Sequence, residues 1–565
     1  MPQVTDMQEQ LKKDKQRLEN LRQDASTWRN TVGEIAEFVR PRQSRFMTTT
    51  GRTELDKDGS KLDTKIINSS STDASDVLAA GLYSGLSSPS TPWFEMIIDD
   101  EELGKYGPVK EWLTIVRDIM LKYMSKSNQY ESMHSMFAHL GDYGTACSLM
   151  EEDFESAVRF RPYIFGEFLL SMDGARRVRT MYSYYSLSAE QIVTFYGKDN
   201  ISDSVKAALD RNDREARFEI IHLVEPNYNI NYELDTVEGM QYSSRHFELG
   251  TNSDKYLRVG GYKGKPFIAP RWRVYGVDTY GDSCGFKARG DIKMLQKIEE
   301  KKLKGLDKAI DPPMNAPLSL KGQGASLLPG AVNYMDVPSG QQGFSPTYLV
   351  RPELESAENS IARVEARIRR SYFNDLFTTI TQTDKKMTAY EVARRHEEKL
   401  VLIGPTLQNL YTEMLDPIVD RWYQVLDSFG AFPPPPEELN GVEFKVQYIS
   451  ILAQAQRLAR IAPIEQAIGF AGTLTPVFPT VMDNFDGDAV VREYTDLVGA
   501  APKILRDPSN MDALRQQRAE TAARQQAAAN AAQAADSAKT LSDTQMGTGS
   551  ALDGVVEAVN ENAGG

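Results

Sequence analysis

The sequence predicts a helix-rich α+β protein. Three observations carry that prediction: apolar residues recurring at steps of three and four over long stretches, a central region where tyrosines and β-branched residues mix with glycine turns, and a proline-rich excursion between two helical patterns. With 565 residues the chain can bury a large core, as two to four domains or as one interleaved subunit of several parts.

In chain order, Leu18, Leu21, Ala25, Trp28, Val32, Ile35 and Val39 place one apolar stripe on a helix. Pro41 stops it, because proline lacks the amide hydrogen that a helix interior needs. A polar, glycine-containing loop follows from Thr48 to Ser60, and Ser87 to Pro92 breaks the chain before Trp93 and Phe94. From Ser171 to Ala269 the segments HFELG and KYLRVGGYKGKPFIA read as short strands joined by glycine turns.

The most informative stretch comes next. Arg289, Lys293, Lys297, Lys301, Lys304 and Lys308 follow one another at steps of four, four, four, three and four, which stacks six cations on one helical face. From Lys287 to Lys308 there are eight Lys and Arg against the four acids Asp291, Glu299, Glu300 and Asp307, a local excess of four positive charges. The whole chain has a formal net charge of -14, so this positive charge is localised.

Asp311 to Pro352 is too long and too rich in proline and glycine for a tight connection, and loops of that kind carry function or stay disordered. Leu354, Ala357, Ile361, Val364 and Ile368 then resume the helical steps along a narrow seam suited to packing on a neighbour. Beyond Phe377 the polar TTITQTDKK predicts a loop between helices, and Thr388 with Glu391 forms a capping-box start for the next one. That helix, Thr388 to Phe429, should kink at Gly404, Pro405 and Pro417. Pro433 to Pro436 is a stiff spacer, and Val442, Phe444, Val446 and Tyr448 alternate as a strand does. Met511 to Lys539 favours helix but lacks large apolar groups, and Thr540 to Gly565 has the composition of a disordered tail.

Composition narrows the functional classes. Two cysteines, Cys147 and Cys284, supply neither a disulfide framework nor metal-ligand spacing, which fits a reducing cytoplasm. The N-terminus has no apolar signal core and no run approaches the ~18 apolar residues of a membrane span, so a soluble protein is expected. Net acidity argues against a general nucleic-acid coat and leaves room only for local, weak DNA contacts.

Catalytic motifs are lacking. GYKGKPF has neither the spacing nor the hydroxyl of a phosphate loop, and the five histidines never form HExxH. Asp483, Asp486 and Asp488 around Gly487 lack the ligand alternation of a calcium loop and read as a solvated turn. No nucleophile elbow is present. The expectation is a protein that is not an enzyme and uses no cofactor.

A Tyr280-Gly281-x-Ser283 turn leads into the Asp291-Ile292-Lys293 helix, which closes on Pro312-Pro313. With it stand Trp28 and Pro41, STDASDVLAAGLYSGLSSPSTPWF (Ser71 to Phe94), FAHLGDYGTACSLMEED (Phe137 to Asp153) and the Arg161 to Gly197 block with its late FYG. Further on come the Met387 to Leu426 helix and YISILAQAQRLARI. In order and spacing this set resembles the portal, or head-to-tail connector, of short-tailed double-stranded DNA bacteriophages, over roughly Trp28 to Arg506.

The resemblance implies a ring with a central channel, built from wing, stem, clip and crown. It places the wing at 1–276, the stem helix at 277–310, the clip at 311–350 and the returning stem helix at 351–376. A tunnel loop at 377–387 and a long kinked wing helix at 388–429 follow, then the C-terminal wing or crown at 430–510, a crown or barrel helix at 511–539 and a disordered tail at 540–565. It implies that Lys385 and Lys386 line the DNA channel, while the six stem cations face either DNA or a neighbouring subunit, for which Glu355, Glu358 and Glu365 are available acids. Implied partners are about eleven further copies of the chain, double-stranded DNA, terminase, major capsid protein, scaffolding protein, tail adaptor or nozzle proteins and internal core proteins, with no membrane. The implied place is the head-tail junction of the virion, after assembly in the host cytoplasm. A tail or adaptor ring that never meets the packaging motor is the alternative.

Overall fold

The computed structural model describes residues 4–47, 65–100, 103–104, 106–228, 230, 237–250, 255–316, 326, 345–348, 353–381, 403–439, 444–448, 451–498 and 508–542. They form two compact units, Met1–Arg460 and Ile461–Gly565. The boundary falls inside the span that the sequence assigned to a single C-terminal wing or crown.

The first unit opens with the predicted apolar stripe, divided by one residue. Helices α1 (Val4–Asp24) and α2 (Ser26–Val39) meet at Ala25, and Val32, Ile35 and Val39 are fully buried. Pro41 ends α2 as expected and also starts the short α3 (Pro41–Ser44), where a missing N–H costs nothing. Helix α4 (Ser70–Leu86) ends at the predicted serine-proline break, after which β1 (Phe94–Ile98) begins. Helices α5 (Gly107–Lys126) and α6 (Gln129–Tyr143) follow. Gly144, at φ 78, closes α6 in the left-handed conformation that glycine adopts without strain.

Two sheets carry the mixed region. Strands β2 (Cys147–Asp153) and β3 (Ala157–Tyr163) form a hairpin, and the late β9 (Phe267–Ile268) adds to β2. Strands β4 (Phe168–Met172), β5 (Val178–Ser188), β6 (Arg217–Pro226), β7 (Tyr242–Glu248) and β8 (Arg258–Tyr262) form an antiparallel meander in sequence order. Between β5 and β6, helices α7 (Ala189–Tyr196) and α8 (Asp203–Asp210) enclose a small separate core around Ile192 and Val205. Helix α1 is fastened to the meander by charge. Asp14 takes the Arg245 guanidinium at 2.8 Å and the Tyr256 hydroxyl at 2.8 Å, and Glu225 takes Arg245 and, at 2.6 Å, Arg17.

The basic helix is α9 (Cys284–Ile310), so 277–283, expected within the stem helix, is its non-helical approach. Strands β10 (Met314–Asn315) and β11 (Ser345–Pro346) pair as a two-residue antiparallel ladder. The Thr347 amide donates to the Pro313 carbonyl at 2.7 Å, so the two ends of the predicted excursion are stitched together. Helix α10 (Leu354–Ser371) buries the predicted seam Ile361, Val364 and Ile368. It ends before the expected residue 376, because Tyr372 turns and Phe373 takes φ 55. A second helix, α11 (Asn374–Thr381), then runs into the span predicted as the tunnel loop. Lys385, Lys386 and the Thr388 capping box lie outside the described residues, as does the Thr48 to Ser60 loop.

Of the two interruptions predicted in the long helix, the first coincides with the start of a helix at Gly404 and the second, at Pro417, is preceded by a change of helix type. Helix α12 (Gly404–Leu410) passes into a π-helical turn, Tyr411–Leu415, and on into α13 (Asp416–Ser428). Pro417 has no N–H to give the preceding turn, and the wider turn absorbs that lost bond without ending the rod. The alternation predicted from Val442 to Tyr448 is a strand over its described part, β12 (Phe444–Tyr448), which pairs antiparallel with β1. Tyr448 stacks on Trp93 at 6.2 Å and on Tyr411 at 4.8 Å between ring centroids.

Helix α14 (Ile451–Leu474) leads into the second unit, which continues through α15 (Gly487–Val498) to α16 (Pro508–Ser542). Helix α16 extends past Lys539 to Ser542, so the first three residues of the tail predicted from Thr540 are helical, and the rest of it lies outside the described residues. The Asp486 side chain accepts from the amides of Asp488 and Ala489 at 3.0 and 3.2 Å, and Asp488 pairs with Arg515 at 2.5 Å. These acids therefore cap and brace helices, in keeping with the solvated turn expected there.

Candidate functional site

The hairpin of α9 and α10 carries the predicted basic helix, and its foundation is built into the core. Ser283 caps α9 by accepting from the Phe286 amide at 3.1 Å while donating to the Asp142 carbonyl at 2.8 Å. Gly285 packs so closely that an added Cβ would lie 2.3 Å from the same carbonyl. Cys284, Ala288, Ile292 and Leu295 form the buried face, and Trp28 sits 5.6 Å from Phe286. Higher up, Gln296 accepts from the Ile67 and Asn68 amides at 2.7 and 3.0 Å and donates to the Asn68 carbonyl at 2.7 Å. Asn68 in turn bridges Glu299 of α9 and Glu365 of α10 at 3.1 and 2.9 Å. The two helices run antiparallel, with Arg367 on Asp291 at 2.8 Å and Lys302 near Glu358 at 3.8 Å.

The six predicted cations all lie on α9, Arg289 half-buried and the other five exposed. Arg289 and Lys293 reach back to Glu34 of α2 at 3.7 and 2.7 Å, and the Lys293 hydrogen bond holds that carboxyl below its usual range. Lys304 pairs with Glu300 one turn away. Lys297, Lys301 and Lys308 are exposed and make no ion pair among the described residues. Of the three acids offered as partners for this face, Glu358 goes to Lys302, Glu365 to Asn68, Ser70 and Arg369, and Glu355 makes no ion pair among the described residues. Within the chain the basic face is thus partnered by Glu34 and Glu300.

Sequence reasoning missed the node beneath the hairpin. Asp142 is fully buried, and its carboxylate accepts from Arg40 Nε at 2.6 Å, Ser75 Oγ at 2.9 Å and Tyr372 OH at 3.1 Å. Arg40 also reaches Ser75 Oγ at 2.8 Å and Asp76 at 2.9 Å. Burial disfavours both charges, yet Asp142 outweighs it for Arg40 and raises the guanidinium pKa. For Asp142, burial raises the pKa against the opposing charge and hydrogen bonds. Beside the node, burial and then the Arg40 charge press His139 down to about 3, so it is neutral. Most of these residues lie in the blocks that carried the family resemblance; what periodicity could not show is that they meet.

Both cysteines are buried and burial raises their thiol pKa, the opposite of activation. Among the described residues no three His, Cys, Asp or Glu groups come together as a metal site, and no helix is long and apolar enough to cross a membrane.

What the described residues present is a charged helical hairpin founded on the core. The chain belongs to the bacteriophage head to tail connecting protein family, whose sequence profile matches residues 11–505. It is 36% identical over 543 residues to the portal protein of Salmonella phage epsilon15, covering 96% of this chain and 97% of that one. It is 34% identical over 539 residues to the probable portal protein of Bordetella phage BPP-1, covering 95% and 96%. A chain from the virion of a native gene transfer agent particle overlays on 71% of this chain and 86% of its own, at 11% identity and a TM-score of 0.32, which is too loose to carry any argument.

Proposed function

We propose that about twelve copies of this chain close into a ring at one capsid vertex, forming the channel through which double-stranded DNA is packaged and ejected. The observation that carries this reading is the near-complete alignment with two phage proteins described as portals. On the same reading the ring sits at the head-tail junction, nucleates the shell with scaffolding and major capsid protein, and receives terminase and later the tail adaptor at the clip, 311–350. Lys385 and Lys386 line the channel. A net charge of -14 suits a conduit, since a wall that neutralised many phosphates would release many counterions and hold the duplex fast. Sparse cations in an acidic wall give contacts that break and remake quickly.

Native mass spectrometry of the purified protein tests this. The expected particle is on the order of 760 kDa, from twelve chains of 63.3 kDa. A stable monomer or dimer at every salt concentration would overturn the reading. Binding of terminase to the ring separates a portal from an adaptor.

A further inference from the structure

The far end of the α9–α10 hairpin is divided by charge between its two helices. On α9, Lys301 and Lys308 are exposed and reach no carboxylate among the described residues. On α10, Glu353 and Glu355 are exposed and likewise make no ion pair there. They border an open hollow of about 460 Å³ whose other walls include Asn359 and Arg363. The two sets overlap in height. Lys302 meets Glu358, and with 1.5 Å of rise per residue in antiparallel helices Lys308 stands about level with Glu353, while Lys301 stands about 6 Å from the level of Glu355, within reach of a lysine side chain.

We propose that these are the two halves of one subunit contact: the Lys301 and Lys308 face of one copy docks against the Glu353 and Glu355 end of α10 on the next copy. The inference rests on the ring reading above. Charge complementarity names the occupant, since the acidic end repels DNA and an identical hairpin alongside brings a basic face of opposite sign to the same level. The common level of Lys308 and Glu353 also bears on the kind of assembly. A head-to-tail contact with no axial step closes into a ring, whereas a step would generate a helical filament.

Charge exchange provides the test. Three variants are compared with the parent protein by native mass spectrometry and light scattering at low and high salt: Lys301→Glu with Lys308→Glu, Glu353→Lys with Glu355→Lys, and all four together. Each reversed pair should raise the concentration needed for ring formation on the order of tenfold or more at low salt. The fourfold exchange should restore the parent behaviour, which mere loss of folding would not allow. Should a reversed variant fail to fold by circular dichroism, the Gln pairs at the same positions decide, with weakened assembly expected in both. Rings that form normally in both reversed or both Gln variants would overturn the contact, as would a fourfold exchange that folds without recovering. Intact rings that lose DNA retention only on lysine reversal would also overturn it and place the lysines against DNA. A parent protein that forms no ring at any salt would instead remove the function reading beneath it.

Discussion

Arg271 grasps one carboxylate, that of Glu413, with both its backbone amide and its guanidinium: the amide lies 2.9 Å from Oε2, and Nε lies 3.2 and 3.1 Å from the two oxygens. Glu413 belongs to the π-helical turn, and Arg271 follows β9 in the first unit. The pair pins the widened turn to the sheet β3-β2-β9. Glu413→Ala should therefore leave a buried guanidinium without its partner and cost about 3 kcal/mol, at the low end for a broken buried pair because Glu413 is partly solvated. In urea or thermal unfolding, Arg271→Met combined with Glu413→Leu should cost less than the sum of the two single changes.

The Asp142 node predicts a graded series. Asp142→Asn takes the buried carboxylate from Arg40 and leaves it only the exposed Asp76, and should cost about 3 kcal/mol. Tyr372→Phe removes one hydrogen bond and should cost about 1 kcal/mol. Equal losses in the two melting curves would mean that the charge at Asp142 is not what matters.

Acid should weaken the fold early. His222 and His246 stack at 4.0 Å, buried beside Ser244, Tyr185 and Tyr196, with Arg161 and Arg258 facing them. Burial first, and then Arg258 and Arg161, press His246 down to about 3; burial and the His246 neighbour hold His222 well below its ordinary value. With His139 at about 3, three histidines take up protons in the unfolded chain before they do so in the folded one. Their contribution is fully present above the ordinary histidine pKa of about 6.5 and is lost as pH falls below it, for His139 and His246 down to about 3, at about 1.4 kcal/mol per pH unit for each of those two. Asp420 acts in the opposite sense, because burial and Asp416 push its carboxyl up to about 6 and the folded form gains that proton first. Melting temperature from pH 7 to 5 should fall, and His139→Gln should make the fall shallower.

Gly81 crosses the Phe377 ring so closely that an added Cβ would lie 2.2 Å from it. Gly81→Ala should cost about 1–3 kcal/mol through overpacking, and Phe377→Leu in the same chain should recover part of that loss, read as the difference between single and double variants in thermal unfolding.

On the portal reading, Lys385→Gln with Lys386→Gln should leave ring formation unchanged, since exposed loop substitutions shift stability by less than about 0.5 kcal/mol. The expected effect is weaker retention of packaged DNA with an altered salt dependence. DNA leakage from purified particles at low and high salt measures it, and unchanged leakage at both would assign these lysines to solubility alone.

Periodicity showed where chain segments are helical or extended because it depends on neighbours in sequence. It located the α2 stripe, the α10 seam, the α9 basic face and β12 from Phe444. It could not show breaks made by one residue, such as the turn at Ala25 or the positive φ of Phe373, since neither interrupts the apolar spacing. Pro417 announced a kink, but only backbone geometry reveals that the chain meets it with a π turn. Least legible was Asp142, whose three side-chain partners come from positions 40, 75 and 372 and converge only in space.

The ladder between Met314–Asn315 and Ser345–Pro346 acts as a drawstring at the mouth of the excursion. Once that mouth is tied, the helices below meet a closed end of fixed width whatever the chain does beyond it. The register of the two helices is thereby held at both ends, by the Ser283 cap at the foot of the hairpin and by these four paired residues at its tip.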